Sequence, residues 1–304
     1  MPSNNLLKCG YPLHQSPLFR ILGKQQFETV LGVKWEAIEK LLAVDNYRVW
    51  VNGKGREIQQ PIRWLGVVHS RIGRLLSRIE LPDYVFSCKG RSYVDNARQH
   101  LGDFPLAKTD IHKFYPSTSR QMIVRLFVDD FQCAKDIAHH LADICCYRQL
   151  QLPTGSPLSG RLAFFSAKDM FDEVAQTAQM NGCKMSLYVD DITLSGDAAT
   201  KKLLGNVRRS IHRHGLKTKQ AKSKTYAGEN AKTVTGAIVR GDELYLPNKR
   251  HKGIWDSRQK LRDSNLAERD KIKRTLKGRL IEARQILRPA KEPLSAHTLR
   301  ETDS

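Results

Sequence analysis

Lys184-Met-Ser-Leu-Tyr-Val-Asp-Asp-Ile-Thr-Leu-Ser-Gly196 is the stretch on which the fold turns. Strand-forming apolar residues flank Asp190-Asp191 on both sides, so the segment reads as a hairpin with two acids at its tip. Adjacent carboxylates repel, and a hairpin tip offers them none of the relief of a solvated helix face. A divalent cation offsets that cost, because it takes oxygen ligands and holds substrate phosphates at the same time. The pattern points to phosphoryl transfer with two metal ions about 3.5–4 Å apart. The competing reading is an ordinary acidic turn. Asp129-Asp130 serves as a control: it follows Met122, Ile123, Leu126 and Phe127 at helical spacing, and so reads as the polar end of a helix.

Working outward, the charge is uneven. The chain of 304 residues carries a net +20, and residues 201–304 hold 27 Lys/Arg against 11 Asp/Glu, compared with 24 against 20 before them. The last third is therefore the surface expected to track phosphates. A basic wall beside a cation site suits a nucleic-acid enzyme better than a merely soluble basic protein. No apolar run approaches the ~18 residues of a membrane helix, and no signal-peptide stretch opens the chain, so the expectation is a cytoplasmic protein with no membrane partner. Cys9, Cys88, Cys133, Cys145, Cys146 and Cys183 show no C-x-x-C spacing, which argues against a zinc site or a disulfide framework.

Periodicity predicts a helix over 25–43 broken near Gly32, a strand–turn–strand over 47–60 closed by Pro61, and a helix over 64–79 with Arg71, Arg74 and Arg78 on one side. A strand over 106–111 ends at an acid. Helices follow near 118–128 and 132–149, then a Gly/Pro-rich turn over 152–160. One long helix is expected to run to about Met180, closed by Asn181-Gly182. After the hairpin come a helix over 198–214, strands near 233–239 and 243–246, basic helix from Trp255 to Leu287, and a loose Pro-containing tail. Strands interleaved with helices, with neighbouring strands in a hairpin, favour an α+β fold.

An acid at an upstream strand end completes what two metal ions need. Antiparallel neighbours bring Asp110 beside Asp190 and Asp191, giving three carboxylates. Asp110 lies in Thr109-Asp-Ile-His-Lys-Phe-Tyr-Pro-Ser117, which, with Leu152-Pro-Thr-Gly-Ser-Pro157 and Tyr188-Val-Asp-Asp191, resembles the ordered palm motifs of reverse transcriptases. Arg56-x-Ile-x-x-Pro61 resembles their fingers motif. Asn96-Ala-Arg-Gln-His100 and Val234-Thr-Gly236 resemble two elements of bacterial retron reverse transcriptases.

The resemblance implies a right-hand polymerase: fingers over 1–105, palm with an antiparallel sheet over 106–246, basic helical thumb and tail over 247–304. It makes Asp110, Asp190 and Asp191 the catalytic metal ligands, with Ile111 supplying backbone, for two Mg²⁺ ions or Mn²⁺ in their place. The Ile111, His112, Lys113 and Phe114 segment would lie near the incoming triphosphate, with Tyr115 as a steric gate against a ribose 2′-hydroxyl. Arg56 would clamp the triphosphate through its fork of donors, assisted by Lys54. Gly155 would let backbone approach nucleotide or template closely. Lys224-Thr225 resembles the Lys-Thr that follows the hairpin, although its spacing from Gly215-Leu216 is long. Asn96, His100, Val234, Thr235 and Gly236 would contact RNA or hold the surface behind it. Arg258, Arg262, Lys273, Arg274 and Lys277 would meet RNA phosphates, while Leu261, Leu276 and Leu280 leave one side to pack on the palm.

Two departures stand out: Thr154 occupies a position where many reverse transcriptases have Gln, and Val189 one where many bacterial relatives have Ala. The implied partners are deoxynucleotides, a cognate structured noncoding RNA and its branched single-stranded DNA product. A separate effector protein acting in anti-phage defence is also implied. The segment after 246 is too short for a ribonuclease H domain, so RNA removal is expected to fall to a host ribonuclease H. The rivals are a reverse transcriptase of group II intron type and a catalytically silent RNA-binding scaffold.

Overall fold

A computed structural model describes residues 10–289; Cys9 and the tail expected at 290–304 lie outside it. The first helices are α1 (Lys24–Leu31) and α2 (Ile38–Leu41), separated where Gly32 adopts φ 69 and ends α1. Strands β1 (Tyr47–Val51) and β2 (Glu57–Pro61) form an antiparallel hairpin, and α3 (Arg63–Leu76) follows. Next come α4 (Tyr93–Arg98), β3 (Leu106–Asp110), α5 (Phe114–Ser117), α6 (Arg120–Arg125) and α7 (Lys135–Cys145). Asp129 and Asp130 close a π turn over Leu126–Asp130 that continues α6, so this pair does sit at a helix end.

The long helix expected before the hairpin is two helices, α8 (Ser159–Ser166) and α9 (Lys168–Met180). They part at Ala167, whose φ of −116 and ψ of 15 leave the helical region. Then come β4 (Lys184–Tyr188), β5 (Asp191–Ser195), α10 (Lys201–Arg213) and β6 (Lys224–Tyr226). These strands make an antiparallel sheet in the order β4-β5-β3-β6. One face of it packs on α9 and α10, through Ile192, Leu194, Met185, Leu187 and Ala107 in the main core. Alternation then puts Lys108, Asp110, Asp191 and Tyr188 on the opposite face.

The strand expected over 233–239 is a hairpin: β7 (Lys232–Val234) and β8 (Ala237–Arg240) turn at Thr235 (φ 42) and Gly236 (φ 89), with β9 (Glu243–Tyr245) completing a three-stranded sheet. Positive φ at both loop residues is the turn that matches strand twist. The basic stretch divides into α11 (Asn248–Asp263) and α12 (Leu266–Leu287), where the Asn265 side chain accepts from the Glu268 amide and starts the second helix. Ala283 and Ile286, rather than Leu261, Leu276 and Leu280, bury α12 against Val234, Val239 and Leu244 in a second, smaller core; the three leucines are half-buried. The class is α+β, with antiparallel sheets. Among the described residues no helix is long and apolar enough to cross a membrane, and all five cysteines are free.

Candidate active site

The register of β3 against β5 sets Asp110 directly opposite Asp191. The Ile111 amide donates to the Asp190 carbonyl at 3.0 Å, pinning the end of β3 to the hairpin turn. Only two residues, Val189 and Asp190, connect β4 to β5, and Val189 sits at φ 62. A β-branched residue rarely takes that conformation, and such strain persists where the surroundings over-determine it. Asp110 is buried, while Asp190 and Asp191 are half-buried. Burial, followed by repulsion from Asp110, pushes the Asp190 carboxyl up to about 6. Burial raises Asp191 too, with Lys108 opposing and Asp110 adding to the rise.

Three mutually repelling carboxyls with hard oxygen donors suit a divalent cation in kind. Among the described residues, however, no three acid, imidazole or thiol groups are disposed as a metal cage. The Lys222 ammonium is hydrogen-bonded to Asp110 Oδ2, placing a positive charge among the acids. Lys224, whose Lys-Thr pair resembles the motif after the hairpin, is exposed on β6.

The segment after Asp110 is more committed than expected. The amides of Ile111 and His112 are spent on the carbonyls of Asp190 and Lys217, the latter at 2.7 Å, and Ile111 and Phe114 are buried. Lys113, at φ 47, turns the chain into α5. Tyr115 is half-buried, its hydroxyl raised by burial and by Asp190, and a Cβ at Gly160 would lie 3.4 Å from its oxygen.

Gly155 is required for a reason other than nucleotide approach. A Cβ there would stand 2.8 Å from the Gln59 carbonyl and 2.9 Å from Ile58 Cγ2, so the loop presses on β2. The Gly155 amide donates to that carbonyl, and the Thr154 hydroxyl donates to the Glu57 carbonyl at 2.8 Å. Thr154 therefore ties the loop to the hairpin. His69 of α3 secures the same loop: its Nε2 donates to the Ile144 carbonyl, leaving Nδ1 to accept from the Ser156 hydroxyl at 2.7 Å. Burial holds this imidazole down to about 4. Arg56 and Lys54 are exposed on the β1–β2 hairpin.

Asn96, His100 and Val234 are buried, so of the two expected roles their side chains are placed for holding the structure behind a surface rather than for touching RNA. His100 bridges the hydroxyls of Ser186 on β4 and Ser195 on β5, at 2.6 and 2.7 Å, beneath the acidic tip; burial keeps it neutral, with its pKa pulled down to about 3. Thr235 donates to the Tyr93 carbonyl at 2.7 Å, joining the β7–β8 turn to α4. Arg258, Arg262, Lys273, Arg274 and Lys277 are all exposed on α11 and α12. Sequence reasoning missed Lys222, Lys108, His69 and Gln59. Of these only Lys108 was legible, two strand positions from Asp110 and hence on the same face.

Residues 38–239 match the family model described as "Reverse transcriptase (RNA-dependent DNA polymerase)". The chain belongs to that family and is an RNA-directed DNA polymerase. It is 26% identical over 218 residues to the retron Ec86 reverse transcriptase of Escherichia coli, covering 68% of each chain. It is 27% identical over 152 residues to the retron Se72 reverse transcriptase of Salmonella heidelberg (strain 579083-10), covering 48% of this chain and 39% of that one. Against the retron Ec48 reverse transcriptase of Escherichia coli it is 26% identical over 169 residues, 54% of this chain and 41% of that one. The retron resemblance drawn from Asn96–His100 and Val234–Gly236 is borne out by these relatives. The family in general uses divalent metal ions, and the carboxyl set here accords with that in kind.

Proposed function

We propose that this chain copies part of a cognate structured RNA into single-stranded DNA, as a retron polymerase with fingers before residue 106, palm over 106–246 and thumb beyond. The observation that carries the reading is Asp110 standing opposite Asp191 while the Ile111 amide holds the Asp190 carbonyl. Asp110, Asp190 and Asp191 would hold two Mg²⁺ ions, in competition with the Lys222 ammonium for Asp110. The chemistry such ions would supply is a lowered pKa for the primer hydroxyl and neutralisation of the leaving pyrophosphate. Arg56 and Lys54 meet the triphosphate from the hairpin. Tyr115 lies where a ribose 2′-hydroxyl would project, and Gly160 leaves room for its ring. The exposed arginines and lysines of α11 and α12 contact RNA phosphates. The RNA partner, a branched DNA product, ribonuclease H and a defence effector rest on the retron resemblance alone.

Primer extension on an RNA template with Mg²⁺ tests this reading. Wild type incorporates deoxynucleotides, and Asp190→Asn combined with Asp191→Asn abolishes incorporation; equal activity in both would remove the acids from the chemistry. Tyr115→Ala is expected to raise ribonucleotide incorporation, read as the ratio of kcat/KM values. Unchanged discrimination would take Tyr115 out of the gate. A group II intron type of enzyme would extend generic templates with no preference for one structured RNA. A silent scaffold would bind RNA and incorporate nothing.

A further inference from the structure

The back of the palm carries a charged surface that the chemistry above does not use. Residues 201–228 hold nine Lys/Arg and no Asp/Glu, whereas acids interrupt both α11 and α12. Helix α10 opens that run. Leu203, Leu204, Val207 and Ile211 bury one side of it in the main core, on the face of the sheet opposite Asp110 and Asp191. At 3.6 residues per turn, Lys201, Lys202, Gly205, Arg209 and His212 point outward. A solvated helix face ordinarily mixes charges of both signs; this one does not. Among the described residues, Lys201, Lys202, Arg208 and Arg209 form no ion pair, while Arg213 and His214 share Glu173 of α9. Arg208 is aligned by neutral partners, Thr218 Oγ1 at 3.0 Å and the Gln220 side chain. Gly205, at the centre of the face, is an independent sign. A glycine inside a helix is destabilising relative to alanine and calls for a packing or functional reason. A Cβ there would meet nothing within 4 Å, so packing within the chain does not require it. Gly278, between Lys277 and Arg279 on exposed α12, has the same open space.

We infer that the outward face of α10 binds the phosphates of a base-paired RNA stem, on the side of the palm away from the acids. This rests on the reading that the enzyme works on a structured RNA, and gives that RNA a further holding surface. Charge of one sign calls for a polyanion, and the counterions released on contact favour the complex. The 13 residues of α10 form a rod about 20 Å long. Lys201 and Lys202 stand one turn before Gly205, and Arg208 and Arg209 one turn after it. Bare backbone at Gly205 lets a sugar–phosphate chain come close between the two pairs. The helix has no Phe, Tyr or Trp, the platforms on which unpaired bases stack. A duplex needs no such platform, because RNA duplexes are held by shape and phosphate contacts. The hybrid made at the acids lies on the catalytic face, so the segment that reaches α10 is RNA that is not being copied. A stem held there keeps the template attached while its other part moves past the acids.

The test measures binding of a fluorescent RNA hairpin, with a stem of about 16 base pairs, to the full chain by anisotropy across a salt series. Lys202→Gln combined with Arg209→Gln is expected to weaken binding about tenfold and to lower the salt slope by about two, one for each lost phosphate contact. Lys40→Gln combined with Lys89→Gln removes the same charge at exposed positions elsewhere and keeps the wild-type slope. Gly205→Gln raises the melting temperature, because glutamine is the better helix former, yet weakens hairpin binding several-fold. Every variant extends a primer on a short unstructured RNA template at the wild-type rate. The inference is overturned if the α10 pair keeps the wild-type slope, or if the control pair lowers it equally, which would make the effect one of net charge. It is equally overturned if Gly205→Gln binds the hairpin as wild type does, if a DNA hairpin of the same sequence competes as well as the RNA, or if extension on the short template falls in step. The two readings fail separately. Equal copying of structured and generic templates sinks the structured-RNA reading alone, and wild-type hairpin binding by the α10 variants sinks this inference alone.

Discussion

At the scale of single residues, the same residue type takes different roles through its neighbours. Gly155 was read toward the nucleotide or template and Thr154 as a departure from Gln; both tie a loop to β2, because backbone there approaches within hydrogen-bond distance of Gln59. Gly155→Ala forces a Cβ to 2.8 Å from a backbone oxygen, which cannot move aside like a flexible side chain. Overpacking of this kind costs about 1–3 kcal/mol. Denaturant unfolding of the variant should show that loss, and an unchanged midpoint would mean the loop relaxes freely. Asp110, Asp190 and Asp191 were legible because their motifs are short and ordered along the chain. Lys222 was not, since its place beside Asp110 depends on how the chain from 214 to 223 loops back to β3.

At the scale of elements, α4 ties together three parts of the molecule. Through the His100 that follows it, α4 reaches both strands of the acidic hairpin, and through Thr235 it reaches the β7–β8 turn. Its Tyr93 hydroxyl donates to Glu282 of α12 at 2.8 Å, while Arg250 of α11 pairs with the same carboxylate. Arg98 donates to the Gln285 carbonyl at 2.8 Å. Two retron elements that read as separate signatures are therefore one packed unit. Tyr93→Phe removes the hydroxyl from this network at a cost of about 1 kcal/mol. Hydrogen exchange should then show lower protection in α12, with β3, β4 and β5 unaffected; an unaltered α12 would mean that Arg250 and Glu282 hold it alone. The split of the basic stretch into α11 and α12 was half legible, since Asn265 with Glu268 is a capping pattern. The break at Ala167 carried no such signal.

For the whole molecule, buried ionisable groups set the pH response. His69 and His100 are held neutral, near 4 and near 3, against an ordinary value of 6.5. As pH falls below 6.5 the unfolded chain takes up protons that the native state refuses, so stability is lost progressively toward those lower values. At pH 5 the two together withdraw about 4 kcal/mol. Asp190 works the other way: raised to about 6, it destabilises the metal-free fold above that value, and protonation between about 6 and 3.8 returns about 1 kcal/mol by pH 5. The expected outcome is a metal-free protein clearly less stable at pH 5 than at pH 7.5, with His100→Gln flattening the difference. A pH-independent midpoint would show that neither ring stays neutral.

The chain's order of motifs, its period-2 strand around Asp190-Asp191 and its basic last third established the α+β class and the polymerase family, because local pattern and composition are properties of neighbours in sequence. Which lysine meets Asp110, why Gly155 is glycine, and what His100 does were decided only on folding. Each depends on a contact between residues far apart in the chain, and the energy of such a contact exists only once β3, β5 and α4 have met.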